Sequence, residues 1–338
     1  MTALAPDRIR GRSERAEARA RLRQLQRRYP LLQLAALVIV LTYGIATLPG
    51  LGSWQAIKTM LVVASIIGVV SVGQTVVVLL GGFDLSLPGF MVAGAYFVTN
   101  VAQQDHLSLV VALAMAIAAC GVLGGLSGYL CHRFSVQPLI VTLGMGSALA
   151  GLVQAASGDA PVGEAPQWAV RLTSIGAKTA GVGIPPIVVI WVVATVVLAY
   201  LFHRTVTGRR LLATGANQPS AEYALINTRR VWTAAFALSG VMAVFAGLMV
   251  AGFAGNLDMT TANPYLFQSL VAVIVGGTVF GGPGDYTRTV VGALFLAVLN
   301  IVLVGHGATA PDQDILYGVV LVVAVASYGR ERRVRDRV

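Results

Sequence analysis

Long apolar runs fill the chain from residue 31 onward, broken only by short polar connections. Ten segments rich in Val, Leu, Ala and Gly recur, at roughly 31–48, 56–80, 87–102, 107–131, 138–156, 185–203, 231–253, 265–280, 287–304 and 313–328. Each is about 15 to 25 residues long, the range that spans the hydrocarbon core of a bilayer. Backbone groups in lipid must be satisfied within their own segment, so such runs are helices. The alternating ten-residue strands of an outer-membrane barrel are absent. The pattern predicts an all-α polytopic membrane protein of about ten transmembrane helices, some broken or re-entrant. Segment 265–280 is barely long enough to span and runs into Gly276-Gly277 and Gly281-Gly282. It is the one expected to be re-entrant or broken.

Composition agrees with the pattern. Of 338 residues, 56% are hydrophobic and only 11% charged, against about 25% charged in soluble chains. The net charge of +10 would suggest a nucleic-acid partner if it were spread over one surface. With ten spans and both termini on one side, however, all but Lys58, Arg171 and Lys178 of the 24 Lys and Arg residues fall on that side. The positive-inside rule makes it the cytoplasmic face of a bacterial inner membrane. The charge therefore reports orientation, and no nucleic-acid partner is implied. The chain divides into a basic cytoplasmic tail, 1–30, a transmembrane domain, 31–328, and a second basic tail, 329–338. Two connections are long: a periplasmic one at 157–184 and a cytoplasmic one at 204–230. No small-residue cleavage site follows the first apolar run, so the first helix is expected to be retained.

Several chemistries are excluded by what is missing. Neither lysine, Lys58 or Lys178, stands in a phosphate-binding G-x-x-x-x-G-K-[ST] loop. ATP, if it drives the protein, is bound with its magnesium by a partner. Intramembrane carboxylates, which proton pumps and membrane enzymes rely on, reduce to Asp84, with Asp258 and Asp285 at helix edges. Cys120 and Cys131 lie eleven residues apart on one helix, about 16 Å by helical rise, too far for a disulfide. The four histidines are scattered. No catalytic residue, metal site or bound cofactor is expected on this chain.

Polar positions within the apolar runs are the candidate pathway. Ser65, Gly68, Ser71 and Thr75 share one helical face, which reads either as a packing surface or as a lining for solute. Gln74, Asn100, Gln154, Gln268 and Asn300 need partners or water. Asp84 and Ser86 follow the Gly81-Gly82 break and precede a helix, where they suit an N-cap or a gate. The candidate pathway and gate residues are Ser71, Gln74, Asp84, Ser86, Thr142, Gln268, Thr278 and Asn300. No charged cluster is present to hold a charged solute, which favours a neutral polyhydroxylated cargo. In the long cytoplasmic connection, a turn at 215–217 is expected to precede a short helix, Pro219–Ile226. Asn217 or Gln218 would cap it, with Pro219 in its first turn. So short a helix needs something to pack against.

That connection resembles the coupling loop of permeases in the ribose/monosaccharide branch of bacterial ABC importers, which reads G-R-x-x-Y-A-x-G-x-N-x-x-A-A-x-x-x-G-I. The matching positions are Gly208, Arg209, Ala213, Gly215, Asn217, Ser220, Ala221, Ile226 and Asn227. Three further blocks match in order. Residues 81–86, G-G-F-D-L-S, are similar to G-G-I-D-L-S, and residues 138–144, P-L-I-V-T-L-G, to P-F-I-V-T-L-G. Residues 276–284, G-G-T-V-F-G-G-P-G, are similar to G-G-T-S-L-x-G-G-x-G. The chain departs from the pattern at Pro88, at Leu225 in place of a glycine, and at Leu266 and Gln268 in place of an acidic pair. The resemblance implies a permease subunit paired with a second one, identical or paralogous. Beneath them sit ATPase subunits that receive the coupling helix, and a periplasmic or lipid-anchored binding protein delivers cargo near loop 157–184. Gly208, Arg209, Gly215, Asn217, Ser220, Ala221 and Ile226 are the implied coupling residues. A branched-chain amino-acid or nucleoside permease shares these implications, whereas a stand-alone secondary transporter would leave residues 208–227 without a task.

Overall fold

The computed structural model describes residues 30–101, 108–158 and 164–335, with side chains described through residue 326. The N-terminal basic tail, His106, part of loop 157–184 and the end of the C-terminal tail fall outside these residues. Among the described residues thirteen α-helices follow in order: α1 (Leu31–Thr47), α2 (Trp54–Leu79), α3 (Leu87–Tyr96), α4 (Leu109–Phe134), α5 (Pro138–Ser157), α6 (Gln167–Thr173), α7 (Pro186–Arg204), α8 (Val206–Ala216), α9 (Gln218–Tyr223), α10 (Thr228–Ala254), α11 (Met259–Gly276), α12 (Tyr286–Gly305) and α13 (Ala310–Arg335). Helix α3 continues into a π-helical turn, Phe97–Val101. No strand occurs among the described residues. Helices α2, α4, α5, α7, α10 and α12 are long and apolar enough to cross a membrane, and α1 and α3 are apolar but shorter.

The helices begin where short oxygen-bearing side chains interrupt the apolar pattern. Ser53, Ser108, Asp258 and Asp285 each accept a bond from the backbone N–H three residues on, satisfying a donor that the first turn leaves free. Helices α5 and α7 open with proline at the first position, where its missing N–H is no loss.

Packing sorts the helices into an inner and an outer set. Helix α2 runs through the centre, and α10 lies against it where Gly73 meets Ser239: a side-chain carbon at position 73 would lie 2.5 Å from Ser239 Cα. Helix α4 packs on α10 through Gly124 and Gly128, which face the Phe236 and Trp232 carbonyls, while Gly240 returns the contact to the Cys120 carbonyl. Small residues four apart let helix backbones approach closely, the usual way in which membrane helices associate. Helix α7 is tied inward by a buried hydrogen-bond chain. Trp191 Nε1 donates to Tyr286 Oη at 2.9 Å, and Tyr286 Oη donates to the Gly68 carbonyl at 2.7 Å. Cys120 and Cys131 are free and buried.

Three local expectations need correction. The connection 204–230 holds two helices, because α8 continues through Gly215 and Ala216, where a turn was expected. Its Leu211 and Thr214 are buried, and that packing outweighs the weak propensity of Thr-Gly-Ala. The short helix expected over Pro219–Ile226 stops at Tyr223, since Leu225 takes a left-handed φ of 60°. The segment expected at 265–280 starts earlier, at Met259, and carries Pro264 inside it. It ends at Gly276, where Gly277 N–H bonds the Ile274 carbonyl and Thr278 N–H the Val273 carbonyl.

Candidate coupling site and pathway residues

Thr205 starts α8 by accepting from Gly208 N–H at 3.2 Å. Gly208 is buried where α8 folds back on α7, since a side chain there would meet the Leu201 and Phe202 carbonyls. Arg209 and its neighbour Arg210 are exposed. Asn217 caps α9, its Oδ1 accepting from Ser220 N–H at 2.9 Å, and Ala221 is buried beneath the helix while Ser220 is exposed. Ile226 is half-buried, its N–H bonded to the Ala221 carbonyl at 3.0 Å.

Glu222 anchors α9 to the rest of the bundle. Its carboxylate accepts from Thr228 Oγ1 at 2.7 Å and from Gln218 Nε2 at 3.2 Å. These two bonds hold the carboxyl below the ordinary carboxylate range. His132 at the end of α4 joins them, with Nε2 2.8 Å from Thr228 Oγ1 and 3.8 Å from Glu222. The sequence shows His132 only as one of four scattered histidines, since its partners lie some ninety residues away. A second histidine, His203 at the end of α7, stands 3.4 Å from Asp285 at the start of α12.

The four motif blocks meet at this end of the bundle. Gly281 adopts a φ of 57°, which L side chains rarely take, and its N–H donates to the Val78 carbonyl of α2 at 3.0 Å. A side-chain carbon on Gly281 would lie 3.5 Å from Gly81 Cα and 3.6 Å from the Gly215 carbonyl oxygen. Gly215 in turn lies so close to the end of α2 that a side chain would overlap the Leu79 carbonyl. Phe83 and Phe280 pack with ring centroids 4.7 Å apart. The fourth block enters through Thr142 on α5, whose Oγ1 accepts from Leu85 N–H at 3.1 Å and donates to the Pro138 carbonyl at 2.9 Å. One α5 turn further on, Gly146 meets Ser86, a side-chain carbon there lying 3.0 Å from Ser86 Cα. Segments separated by up to two hundred residues therefore share one junction.

Asp84 and Ser86 are fully buried beside it. Ser86 occupies the N-cap position of α3 but makes no capping bond. Instead Asp84 Oδ1 accepts from Ser86 N–H at 2.9 Å and from the Ser86 hydroxyl. Asp84 is thus bonded to its own loop and not to the first turn of the helix. The Ser239 hydroxyl of α10 bears on the same carboxylate, and both polar atoms of Gln74 are buried without a hydrogen-bond partner in the chain. Thr278 is buried within the second glycine loop, near the Asp285 carbonyl at 3.5 Å.

The other candidate residues lie elsewhere. Ser65, Ser71 and Thr75 are buried, and each hydroxyl donates to the carbonyl four residues before it. Thr75 also meets Thr289 of α12 at 3.0 Å. Asn300 donates to Gln313 Oε1 at 3.1 Å and to Tyr317 Oη at 2.9 Å, and Gln268 bears on the same tyrosine. Gln268 and Asn300 thus form a second polar cluster, away from the glycine junction. Tyr317 and Gln313 had no signal of their own in the apolar run. Among the described residues, no group of three or more His, Cys, Asp or Glu side chains is placed to hold a metal ion.

A bundle of apolar, membrane-length helices whose glycine-broken segments converge on a short helical connection has the architecture of a transport permease. The chain belongs to the family of branched-chain amino acid transport system permease components, whose profile matches residues 56–325. It is 30% identical over 295 residues to the ribose import permease protein RbsC of Haemophilus influenzae, covering 86% of this chain and 90% of that one. It is 28% identical to the protein of the same name in Bacillus subtilis, covering 76% of this chain and 80% of that one. It is 27% identical to the fructose import permease protein FrcC of Rhizobium meliloti, covering 78% and 74%. The chain matches no solved structure.

Proposed function

We propose that this chain is the membrane-spanning subunit of an ATP-binding-cassette importer for a neutral sugar of the ribose or fructose kind, with ATP hydrolysed by a partner subunit. The observation that carries the reading is the junction of four motif blocks at Gly81, Thr142, Gly215 and Gly281. A push on α8 and α9 reaches the glycine-broken segments at both ends of the motif series directly. ATP closure is in this way turned into a rigid-body change of the pathway. Residues 204–230 form the cytoplasmic coupling segment, and α9, with Gly208, Arg209, Gly215, Asn217, Ser220, Ala221 and Ile226 around it, is the coupling helix. Helices α1, α3, α11 and α13 complete ten crossings of the inner membrane with both termini in the cytoplasm, a topology that the distribution of arginine supports. A second permease subunit and a binding protein contacting loop 157–184 complete the assembly.

The relatives named for ribose and fructose import favour sugar over amino acid, and so does the absence of a charged cluster among Ser71, Gln74, Asp84, Ser86, Thr142, Gln268, Thr278 and Asn300. The family's own description supports a branched-chain amino acid as the second reading. Reconstitution with the co-expressed ATPase and binding protein, followed by uptake of labelled ribose, fructose and leucine, separates the two. Ala221→Glu, or deletion of 217–226, is expected to abolish ATP-dependent uptake while the chain still inserts. Normal uptake by either variant would sink the assignment, and uptake without any ATPase would return the chain to the stand-alone transporters.

A further inference from the structure

We infer that Tyr223 and Leu225 form a rigid apolar knob, buried by the ATPase subunit, that makes this permease selective for its own ATPase. The inference rests on the importer reading above and concerns which ATPase the coupling segment accepts.

Leu225 stands just past the end of α9 with a φ of 60°. This is the position where helices commonly end on a left-handed glycine, and the resembling permeases carry glycine there. An L side chain in this conformation is strained by its own Cβ against the backbone. In a core position, packing could offset that strain. Here Leu225 is 95% exposed, and Tyr223 beside it is 89% exposed. A strained, bulky, apolar residue in water therefore has no reason within the chain to be as it is. Inference from such an outlier runs toward function.

The backbone beneath the knob is also held still. Leu225 N–H bonds the Glu222 carbonyl at 2.9 Å and Ile226 N–H bonds the Ala221 carbonyl at 3.0 Å, which fixes the left-handed turn. The Glu222 side chain is pinned by Thr228 and Gln218. A surface projection held in one direction suits a shaped protein pocket, whereas a lipid headgroup layer accepts an apolar side chain in any direction. Pre-organised aromatic and aliphatic anchors are also where protein interfaces concentrate affinity. Arg229 and Arg230 are exposed just beyond the knob, so the complementary pocket has an apolar floor and an acidic rim. A permease with glycine at this position presents no side chain, and its ATPase needs no cavity to receive one. Leucine in a pocket without that cavity clashes, which is discrimination by exclusion.

The test measures binding of the co-expressed ATPase subunit to the full-length permease in nanodiscs, together with thermal unfolding of the permease alone. Leu225→Gly removes the strain, so its unfolding midpoint should rise by about 2 °C. Its affinity for the ATPase should nonetheless fall by about tenfold, as should that of Tyr223→Ala. Hydrogen exchange over 218–227 should slow when the ATPase is added and should not depend on whether the nanodisc lipid is neutral or anionic. Wild-type permease that binds the ATPase, with both variants binding it within twofold of wild type, overturns the inference and leaves the importer reading standing. Protection of 218–227 by anionic nanodiscs without ATPase assigns the knob to the membrane and also overturns it. Wild-type permease that binds no ATPase removes the importer reading and this inference with it.

Discussion

Helices α2 and α7 have nearly the same mean hydropathy, 2.3 and 2.2, yet 83% of the apolar window of α2 is buried inside the protein and only 22% of that of α7. Hydropathy marks both as membrane helices and says nothing about which one faces lipid. The difference lies in the small and hydroxyl-bearing residues. Helix α2 carries Ser65, Gly68, Ser71, Gly73 and Thr75, whereas α7 has no glycine or serine and presents Val192, Val193, Val196 and Val197 outward. Lipid tails are as apolar as valine, so no hydrophobic force sorts helices within the bilayer. Close backbone approach does that work.

The largest expected effect attacks that approach directly. Gly73→Leu drives four carbons into a space where even one would lie 2.5 Å from Ser239 Cα. Overpacking of this kind costs about 3 kcal/mol or more and should separate α2 from α10. Loss of the monodisperse peak in size exclusion after detergent extraction is the expected result. Val193→Leu on α7, at a lipid-facing position, should elute like wild type. Equal behaviour of the two variants would mean that α2 is not an inner helix.

The buried hydrogen-bonded link of α7 to α2 and α12 provides a smaller test. Tyr286→Phe leaves Trp191 Nε1 and the Gly68 carbonyl without the hydroxyl that both use. The Gly68 carbonyl keeps its place in the backbone ladder, so the orphaned indole N–H is the main loss. Leaving a buried donor unsatisfied costs about 1 to 3 kcal/mol. The expected result is a lower thermal midpoint together with a shifted Trp191 emission. An unchanged midpoint would show that α7 is held by the burial of Ile187, Val188 and Phe202 and not by this bond.

The same contrast explains what could be read from the sequence. Membrane embedding was legible because lipid requires long apolar helices wherever the chain crosses. Family membership was legible because Gly81, Gly215 and Gly281 have jobs that glycine does best: Gly81 and Gly281 take positive φ values of 84° and 57°, and at Gly215 a side chain would overlap the Leu79 carbonyl. Helix α8 was not legible, since Thr207, Gly208, Thr214 and Gly215 disfavour helix and only packing against the end of α2 makes one. The His132–Thr228–Glu222 link was hidden for a different reason. Its members sit at the ends of different helices, and nothing in their spacing announces that those ends coincide. Leu225 was visible as a departure from the related pattern, but its left-handed backbone gives that departure a physical meaning.

The smallest effect sharpens the comparison by exchanging one methyl for one hydroxyl in each direction. Thr75→Val on α2 removes the 3.0 Å contact with Thr289 and the bond to the Ser71 carbonyl. That carbonyl also belongs to the helix ladder, and Thr289 can turn its own hydroxyl to its helix, so little is left unsatisfied. Side-chain hydrogen bonds between membrane helices average about 0.6 kcal/mol, and this is the size expected for the loss. The reverse exchange, Val196→Thr on α7, puts a hydroxyl on the lipid face, where it can donate to the carbonyl of Val192. Thr195 already makes that kind of bond to Trp191 at 2.8 Å, so a change below about 0.5 kcal/mol is expected. Thermal unfolding of both variants and of the double variant gives the comparison. Additive effects fit two sites with no shared partner, and a coupling larger than either single effect would place the outward face of α7 against α2 after all.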